Sequence, residues 1–102
     1  MYARTTIAQF YPGTTEEALH IVSDIMLPRA RAQSGFQGAL ILRHPDKDQG
    51  IIITLWETED DLLASEAPED IQADVERLGE LIKKDSRQDI YDVFFRDWLA
   101  VP

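Results

Sequence analysis

Few residues in this chain have side chains suited to chemistry, and they lie far apart. There are two histidines, His20 and His44, and no cysteine. Imidazole titrates near neutral pH and suits general-base work. His20 follows Leu19 in a helical pattern. It fits either a base beside an acidic substrate hydroxyl or the boundary between the buried and exposed sides of a helix. His44 precedes Pro45 and fits a loop. Arg4 lies in a strand-like stretch with Thr5, Thr6 and Ile7. A guanidinium there must find a carboxylate or a ligand if it is covered, or sit at an edge with its head in solvent. Trp56 ends an apolar run. It fits a pocket wall with an N–H donor for a stacked ligand, or a core aromatic at a strand end.

Other chemistries lose support from the residue types. Two distant histidines and no cysteine argue against a transition-metal site. No glycine-rich phosphate loop or nucleophile elbow occurs, so no cofactor is expected. Asp46-Lys47-Asp48-Gln49-Gly50 falls short of a calcium loop, because the glycine comes one position early and the distal glutamate is missing. A hairpin turn explains it.

The elements that must position these residues can be read from periodicity. Tyr2 to Phe10 reads as a strand. Tyr11-Pro12-Gly13 signals a turn. Thr14, with Glu17 three residues on, predicts a capping box that opens a helix. Leu19, Val22, Ile25 and Met26 form its apolar face. Pro28 predicts a kink or a restart of the helix, and Gly35 a left-handed cap. Phe36 to His44 and Ile51 to Glu57 read as strands joined by a polar hairpin. Thr58 caps a short helix with Glu59, Asp60 and Asp61 in its first turn. Pro68 suits the start of a second piece, whose stripe is Ile71, Val75, Leu78 and Ile82. Asp89 to Arg96 reads as the last strand. The order β-α-β-β-α-β predicts an α+β, ferredoxin-like fold with an antiparallel four-stranded sheet, built as one domain over residues 1–102.

Such a sheet carries its helices on one face. If the other face met water, its strands would alternate between apolar and polar residues. Instead Leu40-Ile41-Leu42, Ile51-Ile52-Ile53 and Val93-Phe94-Phe95 run consecutively. This predicts a sheet covered twice, the second time by another copy of the chain in a homodimer. The net charge of −9 opposes binding to nucleic acid or to an anionic membrane. No apolar run approaches the ~20 residues that span a bilayer. Met1 to Phe10 lacks the pattern of a signal peptide. A cytoplasmic protein is expected.

Two segments carry a resemblance. Gly35-Phe36-Gln37-Gly38 leads into the second strand, and Trp56-Glu57-Thr58-Glu59 leaves the third. In this order and spacing they resemble the antibiotic biosynthesis monooxygenase family. The resemblance covers roughly Tyr2 to Phe95. It implies a ferredoxin-like subunit that dimerises through its sheets into an α/β barrel, with a pocket between each sheet and its own helices. It also implies a function within a broad range that includes cofactor-free oxygenases of quinone formation and haem-degrading oxygenases. The haem-degrading branch places an Asn on the first strand and a Trp and a His on the second helix. Here the first strand has Arg4, Thr5 and Thr6, and the helix offers Ser65 and Val75, so haem degradation is disfavoured. The resemblance implies a cofactor-independent monooxygenase of a small aromatic or quinone-type substrate. A non-catalytic small-ligand binder or dimeric accessory domain is the alternative. His20, Trp56 and Arg4 are the catalytic candidates. Tyr91, Phe36 and Met26 are the candidates for binding substrate.

Overall fold

The computed structural model of the chain describes residues 1–98. Strand β1 (Tyr2–Gln9) is followed by helix α1 (residues 15–30), then β2 (Phe36–Arg43) and β3 (Gln49–Trp56). Helix α2 (Glu59–Ala64) comes next. A 3-10 turn (Glu69–Ile71) then leads into α3 (Gln72–Leu81), and β4 (Arg87–Asp92) ends the sheet. The sheet order is β2-β3-β1-β4, antiparallel throughout. This is the α+β, ferredoxin-like arrangement that the element order predicted.

Local chemistry explains most boundaries. The Thr58 hydroxyl oxygen accepts the Asp61 N–H at 3.0 Å and starts α2. Gly35 has φ +81°, a conformation that only glycine adopts without strain, and it turns the chain from α1 into β2. The capping box expected at Thr14 does not form. The Thr14 hydroxyl donates to the Tyr11 carbonyl instead, at 2.7 Å, and so stabilises the preceding turn. Helix α1 is one continuous helix rather than two, but its middle turn, Ile21–Met26, winds as a π-helix. Pro28 has no N–H to continue the α-helical ladder. The wider turn just before it lets the Leu27 N–H reach the Val22 carbonyl.

The last strand is shorter than its apolar run suggested. It ends at Asp92, and Phe94 is almost wholly exposed at 98%. Val93 keeps one backbone bond to Met1 and then pairing stops. The run Val93-Phe94-Phe95 therefore does not report on sheet burial, because Phe94 and Phe95 lie beyond the sheet.

Residues two apart on a strand share a face, and so do register partners. Arg4, Thr6, Ala8 and Phe10 face the helices, and Ala3, Thr5 and Ile7 face away. On the helix side, Ala8 and Phe10 pack with Ala18, Ile21, Val22, Leu78 and Leu81 into a buried core. On the far side, Ile7, Leu40, Leu42, Ile51, Ile53 and Leu55 form an apolar face. Leu40 and Leu42 are about half exposed, at 49% and 45%.

Candidate functional site: a cavity between sheet and helices

The helix-facing side of β1 changes character along its length. Phe10 and Ala8 are apolar and buried, whereas Thr6 and Arg4 are polar. Where the polar half begins, the layer opens into a cavity of about 280 Å3. Its floor is a polar strip of the sheet made by Gln88, Thr6, Arg4 and Thr54, together with Ile52. Its roof is apolar: Val22, Met26, Leu27 and Ala30 from α1, with Ile71, Leu78 and Ile82 from the α3 region. An apolar chamber with a few convergent polar groups is the usual form of a small-molecule site, and this one lies near the lower end of the usual ~300–1,000 Å3.

Side-chain ties hold the rim of the cavity. The segment Ser65 to Pro68, between α2 and the 3-10 turn, forms one rim. Gln33 grips it twice, donating to the Glu66 carbonyl at 2.8 Å and accepting the Glu66 N–H at 3.2 Å. Arg29, which lines the cavity, pairs with Asp70 at 2.6 Å beside the 3-10 turn. Both partners are about half exposed, so the pair positions the rim more than it stabilises the fold.

Arg4 is tied to the same rim by two hydrogen bonds. It donates from Nη1 to the Ser65 hydroxyl and from Nη2 to the Leu62 carbonyl, each at 3.1 Å. The Ser65 hydroxyl donates to the same carbonyl at 2.6 Å. On the floor, Gln88 donates to the Thr6 hydroxyl at 3.2 Å. The Trp56 indole donates to the Thr54 hydroxyl at 3.0 Å. That bond occupies an acceptor site on Thr54 and leaves its own proton to bond elsewhere.

The sequence candidates separate clearly. The structure brings Arg4 and Met26 to the cavity. Trp56 is 2% exposed and stands behind Thr54, so it meets the cavity through that hydroxyl rather than as a wall. Phe36 packs edge-on against Trp56 with ring centroids 5.4 Å apart, and does not line the cavity. His20 is not brought there. It lies on the solvent side of α1, bonded to Asp24 at 3.1 Å with Glu16 at 3.8 Å. Hydrogen bonds from Ser23 and then His20 hold the Asp24 carboxyl below its ordinary range. Tyr91 is the register partner of Ala3 and so lies on the opposite face of the sheet, about half exposed. The floor residues Thr6, Thr54 and Gln88, and the rim residues Gln33 and Ser65, were missed. The signal for Thr6 and Thr54 was available, since each is a polar residue at an inward position of a mostly apolar strand.

Among the described residues, no cluster of three or more His, Asp or Glu side chains is placed to hold a metal ion. No helix there is long and apolar enough to cross a membrane.

No protein-family model and no curated protein matches the sequence. Solved structures do match the fold. A point mutant of SnoaB, a cofactor-independent oxygenase from Streptomyces nogalater, superposes with a TM-score of 0.75 at 20% identity, over 93% of this chain and 94% of that one. The monooxygenase ActVA-Orf6 of Streptomyces coelicolor, in complex with nanaomycin D, gives 0.76 at 14%, over 97% and 92%. A further antibiotic biosynthesis monooxygenase gives 0.73 at 14% over the whole of both chains. The resemblance read in the two sequence segments holds for the fold: this chain has the ferredoxin-like fold of the antibiotic biosynthesis monooxygenases.

Proposed function

We propose that this protein, read as one domain over residues 1–102, is a cofactor-independent monooxygenase that oxidises a small fused-ring aromatic to a quinone. The observation that carries the reading is the cavity, which lies between the sheet and its own helices in a fold shared with a cofactor-independent oxygenase. An anthrone-type substrate supplies its own electrons. Loss of a ring CH2 proton gives an enolate, which passes one electron to O2. The radical pair then joins to form a C–O bond, and protonation gives a hydroperoxide. Loss of water from that hydroperoxide leaves the new C=O. One oxygen atom enters the product, the other leaves as water, and four electrons pass from substrate to oxygen. The protein's contributions are exclusion of water by the apolar roof and hydrogen bonding from the floor to the developing negative charge. Glu66, at the rim, is the one carboxylate that lines the cavity among the described residues, and the candidate proton acceptor.

One observation favours a second reading, a small-ligand binder without turnover: among the described residues, no histidine or tyrosine lines the cavity. Oxygen uptake separates the two. The enzyme reading expects anthrone to be converted to anthraquinone in air with O2 consumed one for one, and no conversion anaerobically. Saturable binding of anthrone or 1-naphthol without oxygen uptake above the uncatalysed rate would leave the binder.

The assembly belongs to the same proposal. The apolar face of Leu40, Leu42, Ile51, Ile53 and Leu55 supports a homodimer through the sheet, because contiguous apolar patches of this kind mark interaction surfaces. Sedimentation should give twice the chain mass of 11.6 kDa at micromolar concentration. Replacing Leu40 and Leu42 together by Glu should bring it to one. A monomeric wild type would sink the dimer.

A further inference from the structure

Arg4 differs from the other guanidinium group on the cavity wall. Arg29 is neutralised by Asp70. Among the described residues, no carboxylate lies within ion-pair distance of Arg4. Glu66 lines the same cavity but is exposed at its rim and does not pair with it. Both acceptors that Arg4 does have, a hydroxyl and a carbonyl, are neutral. A guanidinium carries five N–H donors. Two are used, which leaves three without a protein acceptor among the described residues. The group is half-buried, not free in solvent. Ser65 and Leu62 hold it in one place, so an arriving ligand meets a donor already oriented.

A permanent positive charge beside an apolar roof favours a ligand that is part hydrocarbon and part anion. The acidic surface does not cancel this. The net charge of −9 acts over distances that salt screens beyond about 8 Å, whereas the guanidinium acts in contact. Thr6 and Gln88 extend the polar strip on the same floor and give a carboxylate's second oxygen further neighbours.

We propose that the cavity selects an organic anion, a fused-ring substrate that carries a carboxylate besides its oxidisable ring, and that Arg4 is the residue that reads the charge. This rests on the reading of the cavity as a small-aromatic site, and it narrows the substrate class. It makes Arg4 a specificity determinant rather than a general acid or base.

The experiment compares two ligands of the same shape that differ in charge, 2-naphthoate and 2-naphthamide. Their binding to the full-length protein is followed by calorimetry and by the NMR signal of the Arg4 Nε–H. The carboxylate should bind at least about tenfold more tightly than the amide, as expected for exchanging a neutral for a charge-assisted hydrogen bond, and should shift the Arg4 signal. In Arg4→Met the preference should fall to within about twofold, because the charge and the N–H donors that read the carboxylate have been removed. The wild-type ligand pair and the Arg4 signal decide the matter even if that variant does not fold. Equal binding of the two ligands, a preference that survives in Arg4→Met, or binding of neither at millimolar concentration overturns the proposal. Oxygen uptake with neutral anthrone tests the oxygenase reading separately. Uptake of oxygen without any preference for the carboxylate would refute this inference and leave that reading standing.

Discussion

Gly35→Ala is expected to destabilise the protein through one neighbour that can be named. Gly35 has φ +81°, and an alanine in the left-handed region costs about 1–2 kcal/mol. A methyl group there would also run into the Asp61 side chain. The backbone cannot move away easily, because the Gly35 carbonyl accepts the Glu57 N–H at 2.7 Å. Asp61 must therefore shift as a whole, its Cβ included, and it loses the hydrogen bond that its carboxylate accepts from Thr58 at 2.8 Å. That bond is worth about 1 kcal/mol. The sum is about 2–3 kcal/mol, which lowers the urea midpoint by about 1–2 M for a chain of this size. In an Asp61→Gly background, which also removes the Asp61 Cβ that the methyl would meet, the methyl has room, and the cap from the Thr58 oxygen to the residue-61 N–H remains. The cost of Gly35→Ala should then drop to the backbone part, about 1–2 kcal/mol, leaving a coupling of about 1 kcal/mol. The four proteins of this cycle can be unfolded in urea at one fixed concentration. A Gly35→Ala cost below about 0.5 kcal/mol, or the same cost in both backgrounds, refutes the reasoning.

Two further expectations concern packing and pH. Leu62→Ala removes a fully buried side chain from beneath α2 and should cost about 2–5 kcal/mol in urea unfolding; a cost under about 1 kcal/mol would mean the site is not tightly packed. Hydrogen bonds from Arg77, aided by its charge, hold the Glu17 carboxyl below the ordinary glutamate range. A carboxylate depressed in the folded state adds stability above its unfolded value, about 4.3, and loses it as pH falls through the folded value. Thermal midpoints of the wild type should therefore fall more steeply below about pH 4 than those of Glu17→Gln, and parallel curves would remove this pair from the acid response.

The fold was legible because several independent signals agreed. Thr58 ahead of three acidic residues, Gly35 after a helix and the stripe from Ile71 to Ile82 each fix an element by local chemistry. What misled was apolar content without pairing. Val93, Phe94 and Phe95 look like strand residues, yet whether a strand continues depends on a neighbouring chain to bond with, and β1 ends its pairing at Tyr2↔Asp92. The site was harder to read for a related reason. Tyr91 and Arg4 were both candidates for the cavity, Arg4 the more suggestive, until the register set Tyr91 opposite Ala3 on the other face. One position along a strand decides which face a side chain joins. His20 drew notice by its chemistry, but position on the helix turned it toward Asp24. The rim contributed by Gln33 and Ser65 depends on contacts between residues more than thirty positions apart, and spacing carries no trace of it.

The π-turn at Ile21–Met26 has a consequence for how this protein can vary. The core side chains Ala18, Ile21 and Val22 precede most of that turn, while Leu27, Arg29 and Ala30, which border the cavity, follow it. A natural relative lacking one residue here would close the turn as ordinary α-helix. Because the wider turn holds one residue more than an α-helical one, the segments before and after it would keep their facing. Contacts on either side would be kept, and only the turn's own side chains, among them Val22 and Met26 on the cavity wall, would change place. Length variation at this point is therefore a route by which related chains alter one wall of the cavity while keeping the same scaffold.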